Sequence, residues 1–366
     1  MPEYAFPWPH PDWWNVPAAK LSEAGEGRDM LTLTWTNGDN TFDCQAYWQV
    51  PQGVGPFPAI LLLHGGGGQA FPDWGQEWVD RGWAALTMDL RGKSLHGNPL
   101  PNGIPPDSEA HKFRIGDHHG YADWPYMATG MAMMAHSWML SHPEVDADRT
   151  AWMGVSWGGY LGLLVSGFDQ RFRVGASAYG AGGLMESSMW SSGFSKMNEA
   201  ARSAWNAHYE PITRLASTQF PLLIRSGARD LAFHFKGLRD TALKIPQSHL
   251  AIVPDWKHGH VPARQDRTIT QFIERLGAWP EIGLPRISPR QILLPYTGQL
   301  AGARAFLHYC SSDQPGPEAD WHSVSVRIWD GHLISPTLPA VAKYGFWTVE
   351  ESSGWISSRL ATIPIS

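Results

Sequence analysis

Three residue types that cooperate in acyl transfer recur along this chain in a fixed order: serine, aspartate, histidine. Ser156 stands in MGVSWGGY (153–160), with Gly154 and Gly158 on either side and Gly159 next. Glycine weakens regular structure, so three around one hydroxyl point to a turn too tight for side chains. The apolar run TAWMGVS precedes the serine and WGGYLGLLVSGF, a helical pattern, follows it. A buried strand that turns straight into a helix lifts the hydroxyl above the sheet and aims the first helical N–H groups at the same spot.

A serine hydroxyl needs a base to become a nucleophile, and the base needs an orienting acid. SGARDLAF puts Asp230 just past the apolar run FPLLIRSG, and VPDWKHGHVP puts His258 and His260 just past HLAIVPDW. His258, at the turn after its strand, is the expected base, with His260 as the rival. Asp230 is the expected acid, a turn or helix cap being its plainer role; Asp240 and Asp255 are its rivals. HGGGG (64–68) follows the strand AILLL. Its small residues let backbone amides approach a tetrahedral intermediate, so the oxyanion hole is assigned to the amides of Gly66 and Trp157. Four glycines also suit a merely flexible loop. His64, Gly65, Tyr179 and His260 are expected to line the substrate site. A histidine base predicts a rate that falls at acid pH, near the ordinary histidine range of about 6–7.

These residues need a sheet to bring them together. Apolar runs at Ile60–Leu63, 83–92, 150–156, 174–180, 220–227 and 249–256 read as strands buried on both faces. Helical spacing falls between them, at 126–142, 232–244 and 266–276. Strands alternating with helices predict an α/β domain with a mostly parallel, doubly wound sheet. Upstream, MLTLTWTNGDNTFDCQAYWQV reads as a hairpin around Asn37-Gly38. Beyond about 282 the helices stop. ARAFLHYC, SVSVRIW, GFWTVEES and GWISSRL read as strands of a small all-β, sandwich-like domain. The division expected is an irregular arm, 1–28, a catalytic domain, 29–282, and a β domain, 283–366.

The chain has 366 residues, 43% hydrophobic and 17% charged, which suits a globular protein with a sizeable core. A net charge of -6 without a Lys/Arg block argues against nucleic acid or an anionic membrane as partner. Cys44 and Cys310 are too few and too far apart for a disulfide framework or a thiolate metal site. The first thirty residues lack a basic stretch followed by an apolar run, so no leader or membrane span is expected and cytoplasm is the expected compartment. Twenty tryptophans are accounted for most simply by packing, and more sharply by a cleft for flat sugar rings. The methionines of 126–142 read as core rather than a cofactor box.

HGGGG, DLRG, GVSWGG, SGARD and KHGH fall in the order found in the α/β-hydrolase superfamily, which the chain resembles over 45–280. WPYMATGMAMMAHSWMLSHPEVDADRTAWMGVSWGGYLGLLVSGFDQRF and SAYGAGGL resemble, more narrowly, the acetyl xylan esterase and dienelactone hydrolase-like group. The resemblance implies an α/β-hydrolase fold, esterase activity with peptidase-like relatives, and a Ser156, Asp230, His258 triad. Dienelactone hydrolase proper uses a cysteine nucleophile, and this chain has serine. The C-terminal β strands lie outside the minimal hydrolase fold.

Two further stretches are expected to shape the cleft. The excursion 89–124 is polar and rich in Pro and Gly; His96, His111, His118 and His119 fall in it without acidic or Cys partners at ligand spacing, so no metal is expected. Residues 185–212 read as a helical cap insertion. The resulting expectation is a serine esterase for a small-molecule or saccharide ester, needing no cofactor. A serine peptidase is the first rival, with Glu186 as the one acidic candidate for holding a peptide terminus. A non-catalytic carbohydrate-binding protein is the second. The β domain has three open roles: binding polymer, covering a sheet edge, or forming a homodimer interface.

Overall fold

A computed structural model describes residues 7–23, 25, 28–113, 120–299, 301–312 and 315–358. Strands β1 (Ala18–Glu23), β2 (Arg28–Asn37) and β3 (Asn40–Gln49) lead into β4 (Phe57–Leu63), helix α1 (Pro72–Val79) and β5 (Ala84–Met88). Next come α2 (Glu109–Lys112), α3 (Trp124–Ser141), β6 (Val145–Val155), α4 (Trp157–Ser166) and β7 (Val174–Ala178). Short helices α5 (Ser191–Lys196) and α6 (Glu199–His208) precede β8 (Leu222–Gly227), α7 (Phe235–Lys244), β9 (Ser248–Val253), α8 (His260–Arg264) and α9 (Arg267–Glu274).

The sheet runs β1-β2-β3-β5-β4-β6-β7-β8-β9 before the C-terminal strands continue it. From β5 to β9 every neighbouring pair is parallel; β1, β2 and β3 are antiparallel. Alternation along β4 shows why both faces need cover. Ile60 and Leu62 pack with Trp74 and Trp78 of α1 and Phe272 of α9, while Leu61 and Leu63 pack with α3 and α4 on the other side. Helix α3 is buried almost all round, so its methionines pack the core. The largest buried side chains include six tryptophans, Trp13, Trp74, Trp124, Trp152, Trp205 and Trp347, which favours packing as their main use.

The hairpin forms where Asn37-Gly38 predicts it: Asn37 pairs with Asn40 and Gly38 takes φ +58°. The arm differs from expectation. Within 1–28, of which 1–6, 24 and 26–27 lie outside the described residues, Ala18–Glu23 forms an edge strand on β2. Its side chains are mostly exposed, so no apolar alternation marks it. Trp13 is fully buried against α3, where a Cβ on Gly130 would fall 2.4 Å from its indole.

The C-terminal strands are β10 (Arg286–Ile287), β11 (Ile292–Pro295), β12 (Arg304–Cys310), β13 (His322–Trp329), β14 (His332–Ser335), β15 (Tyr344–Glu351) and β16 (Gly354–Ser357). All pair antiparallel, in the order β16-β15-β12-β13-β14-β11-β10. Strand β16 joins β9 at Ser357 and Leu250, and Ser357 Oγ both donates to Ile252 O and accepts from Ile252 N, each at 2.8 Å. No helix among the described residues is long and apolar enough to cross a membrane.

Candidate active site

Ser156 directly follows β6, Tyr179 directly follows β7, Asp230 follows β8 and His258 follows β9, so four neighbouring parallel strands deliver them to one edge. Ser156 has φ 56° and ψ -116°, the conformation of the first central residue of a type II′ turn. Its N–H donates to Ala178 O at 2.7 Å and its carbonyl accepts from Tyr160 N at 2.9 Å. The glycines around it are a steric necessity. A Cβ on Gly154 would lie 2.2 Å from Gly158 O, one on Gly158 2.0 Å from Leu63 O, and one on Gly159 2.4 Å from Ser177 Oγ.

Asp230 is buried, and each carboxylate oxygen has work. Oδ1 accepts from Ala232 N at 2.9 Å and Phe233 N at 2.8 Å, and Oδ2 accepts from His258 Nδ1 at 2.8 Å. The proton of the neutral imidazole thus sits on Nδ1, leaving the Nε2 lone pair on the opposite side of the ring as a base. The rival acids are engaged elsewhere: Asp240 pairs with Lys236 at 2.7 Å and Arg239 at 2.6 Å, and Asp255 pairs with Arg229 at 2.9 Å near the surface. The rival base, too, is packed elsewhere. His260 opens α8 and its ring lies 4.3 Å from Phe71 and 4.8 Å from Trp74. Burial, with the Arg264 charge beside it, brings its pKa down to about 4.

Tyr179, expected to line the substrate site, is packed against His258 instead. Its side chain is fully buried, and its ring stacks on His258 at 4.3 Å and on Trp256 at 4.2 Å. The Arg225 guanidinium lies 4.0 Å from the Trp256 ring, and the Tyr179 hydroxyl donates to Lys257 O. A protonated His258 would meet the face of the Tyr179 ring, a contact worth roughly 1–2 kcal/mol when partly desolvated. Tyr179→Leu is therefore expected to lower kcat about tenfold with little change in KM. Tyr179→Phe, keeping the ring, is expected to retain most of the activity; steady-state kinetics on both variants separate ring from hydroxyl.

His64 is also corrected. It is 2% exposed, its Nε2 accepts from Leu90 N at 2.9 Å, and its Nδ1 donates to Gly65 O at 2.7 Å. With both nitrogens used inside the protein, it pins the start of the glycine loop rather than touching substrate. Gly65 does sit beside the serine: a Cβ there would lie 3.3 Å from Ser156 Cβ. His260, half-buried between Phe71 and Trp74, belongs to the packing behind the loop.

The glycine loop is held, not loose. Asp107 Oδ2 accepts from Gly67 N at 2.8 Å, and its Oδ1 accepts from Arg91 Nε at 2.8 Å. Arg91 Nη1 returns to Gly67 O at 3.1 Å and Gly68 O at 3.4 Å. Gly66 rests against the Trp157 indole, where a Cβ would fall 2.8 Å from Cδ1. Both bracing residues come from the excursion 89–124, and sequence reasoning missed them. The one local signal was the arginine of DLRG, since Asp107 carries no motif of its own. His118 and His119 lie outside the described residues, and among those described no group of His, Cys, Asp or Glu could hold a metal ion.

Comparisons with known proteins agree with this frame. The acetyl xylan esterase (AXE1) family model matches residues 29–180, and the prolyl oligopeptidase family model matches 118–279. Dipeptidyl aminopeptidase BIII of Pseudoxanthomonas mexicana is 26% identical over 192 residues, covering 48% of this chain. The match spans only about a quarter of that relative, 26% of its length. Acetyl xylan esterase 1 from Thermoanaerobacterium sp. JW/SL YS485 superposes with a TM-score of 0.58 at 18% identity, covering 72% of this chain and 92% of that one. The acetyl xylan esterase from Paenibacillus sp. R4 gives 0.59 at 17% identity, covering 75% and 96%. Pyrococcus horikoshii acylaminoacyl peptidase gives 0.50 at 17% identity, covering 71% and 42%. The chain has the α/β-hydrolase fold that these structures share. Its first half resembles acetyl xylan esterases and its middle the prolyl oligopeptidases.

Proposed function

We propose that the protein is a serine carboxylic-ester hydrolase acting through an acyl-enzyme, with acetylated sugars as its substrate class. The observation that carries this reading is the Asp230–His258 hydrogen bond of 2.8 Å at the sheet edge where the strained Ser156 turn also ends. In the proposed reaction His258 Nε2 takes the Ser156 proton as Oγ attacks the ester carbonyl. Amides of Gly66 and Trp157 receive the developing oxyanion. Collapse expels the alcohol, which takes the proton from His258. Water, activated by the same nitrogen, then releases the acid and frees the serine. No step calls for a cofactor.

The esterase choice draws on the acetyl xylan esterase family match and on the two esterase structures that this chain covers almost end to end. The prolyl oligopeptidase match and the aminopeptidase relative favour a second reading, a serine peptidase. Glu186, the candidate for holding a peptide terminus, instead sits at the surface 3.5 Å from Lys236. Parallel turnover of p-nitrophenyl acetate, acetylated xylosides and aminoacyl anilides tests the choice. Ester turnover at least tenfold faster than anilide turnover is expected, and the reverse overturns it.

Residues 185–212, with helices α5 and α6, are read as a cap beside the site. Residues 283–366 are read as a small β domain whose contact with β9 favours edge covering over a homodimer interface.

A further inference from the structure

Lys112 is a charged side chain in an aromatic setting. Only 7% of its side chain is exposed, and its Nζ lies 4.4 Å from the centroid of the Trp157 ring and 5.4 Å from that of Trp124. A Cβ on Gly66 would be 3.6 Å from the same nitrogen. Asp107 Oδ2, the oxygen that holds Gly67 N–H, is 3.8 Å away. The Trp157 indole is thus caught between the Gly66 backbone on one side and an ammonium on another.

We propose that Lys112 is a positioning residue for the oxyanion site, its ammonium holding the Trp157 indole against Gly66 and, through Asp107, anchoring the glycine loop. This rests on the acyl-transfer reading above. The two amides assigned to the oxyanion come from different strands, Gly66 after β4 and Trp157 after β6. Their spacing decides how well both reach one oxygen, and an error near 1 Å is expensive in such a site. The indole is the part that touches both segments, and the cation fixes the indole.

The placement of Lys112 is costly for folding and useful for function. Burial brings its pKa down from the usual lysine range to about 8, opposed by Asp107 and Glu109, while Arg91 acts in the same sense as burial. The charge is therefore present at neutral pH and lost as pH rises through about 8. Because the folded value lies below the unfolded one, the unfolded chain holds more protons in that window. Loss of the charge does not weaken the fold there; it releases the clamp. An apolar replacement of similar length removes the burial penalty as well.

The test uses the full chain with Lys112→Met and Lys112→Arg, reading kcat and KM for p-nitrophenyl acetate from pH 6 to 10, corrected for spontaneous hydrolysis. The same series measures the rate of Ser156 labelling by a fluorophosphonate, which does not depend on ester preference. Wild type is expected to lose activity above about pH 8, with the titration of the clamp. Lys112→Met is expected to lose about ten- to a hundredfold in kcat at pH 7, with KM within about threefold, no alkaline decline and a Tm at or above wild type. Lys112→Arg is expected to keep most of the activity and to move the decline upward, because a guanidinium stays charged. Wild-type kcat in Lys112→Met, or an unmoved alkaline decline in Lys112→Arg, overturns the proposal. Should Lys112→Met fail to fold, the arginine variant still decides. Wild type that resists labelling sinks the serine-hydrolase reading itself, whereas labelled wild type with an unmoved arginine profile sinks the clamp alone.

Discussion

Ser156→Ala is expected to lower kcat by on the order of 10⁴–10⁶, leaving the residual rate that binding and the oxyanion site supply without a nucleophile. The fold should survive the change. The hydrogen bonds that position residue 156 are made by its backbone N–H, to Ala178 O, and its carbonyl, from Tyr160 N, and alanine keeps both. An unchanged Tm with turnover gone would tie the loss to the hydroxyl. Fluorophosphonate labelling should disappear in parallel, read by intact-protein mass. A variant within tenfold of wild type would mean that Ser156 is a turn residue and that the chemistry lies elsewhere.

Asp230→Asn should cost nearly as much, on the order of 10⁴ in kcat, although it changes one oxygen for one nitrogen. The reason is local and directional. Oδ1 accepts from two backbone N–H groups, of Ala232 and Phe233, so the amide oxygen must occupy that position. The amide NH₂ is then left facing His258 Nδ1, where a donor now meets a donor. The imidazole resolves the conflict by moving its proton to Nε2, which removes the lone pair that would receive the serine proton. Asp240→Asn and Asp255→Asn, which pair with Lys236, Arg239 and Arg229 and not with the imidazole, are the controls expected to stay near wild type. Equal losses in all three would detach the effect from the imidazole. Losses confined to Asp230→Asn, with Tm little changed, would support the orienting role.

The parts of this arrangement that were readable in the chain are those with strong local grammar. Apolar runs marked the parallel strands because burial on both faces leaves no room for polar residues. Glycines marked the turn at Ser156 because backbone atoms of β4 and α4 crowd those positions. Asp230 and His258 were legible because each stands one short loop beyond such a strand.

What escaped reading depends on contacts distant in sequence. Strand β1 pairs along an edge with exposed side chains, and β14 is four residues long, so neither carries a periodic signal. His64 looked like a cleft residue because a histidine beside glycines suggests exposure. Its burial follows from the Leu90 amide, which only the neighbouring strand brings near. Tyr179, Arg91, Asp107 and Lys112 act on groups presented by other loops, and no spacing rule links them in advance.

The backbone at Ser156 carries one more implication. Its φ of 56° belongs to a region where glycine is at ease and a side chain typically costs on the order of 1–3 kcal/mol. The chain therefore holds its reactive hydroxyl in a posture that folding alone would assign to a residue without one. A laboratory campaign that rewarded only heat tolerance would find glycine at 156 among its early gains. It would arrive at a sturdier protein by editing out the nucleophile.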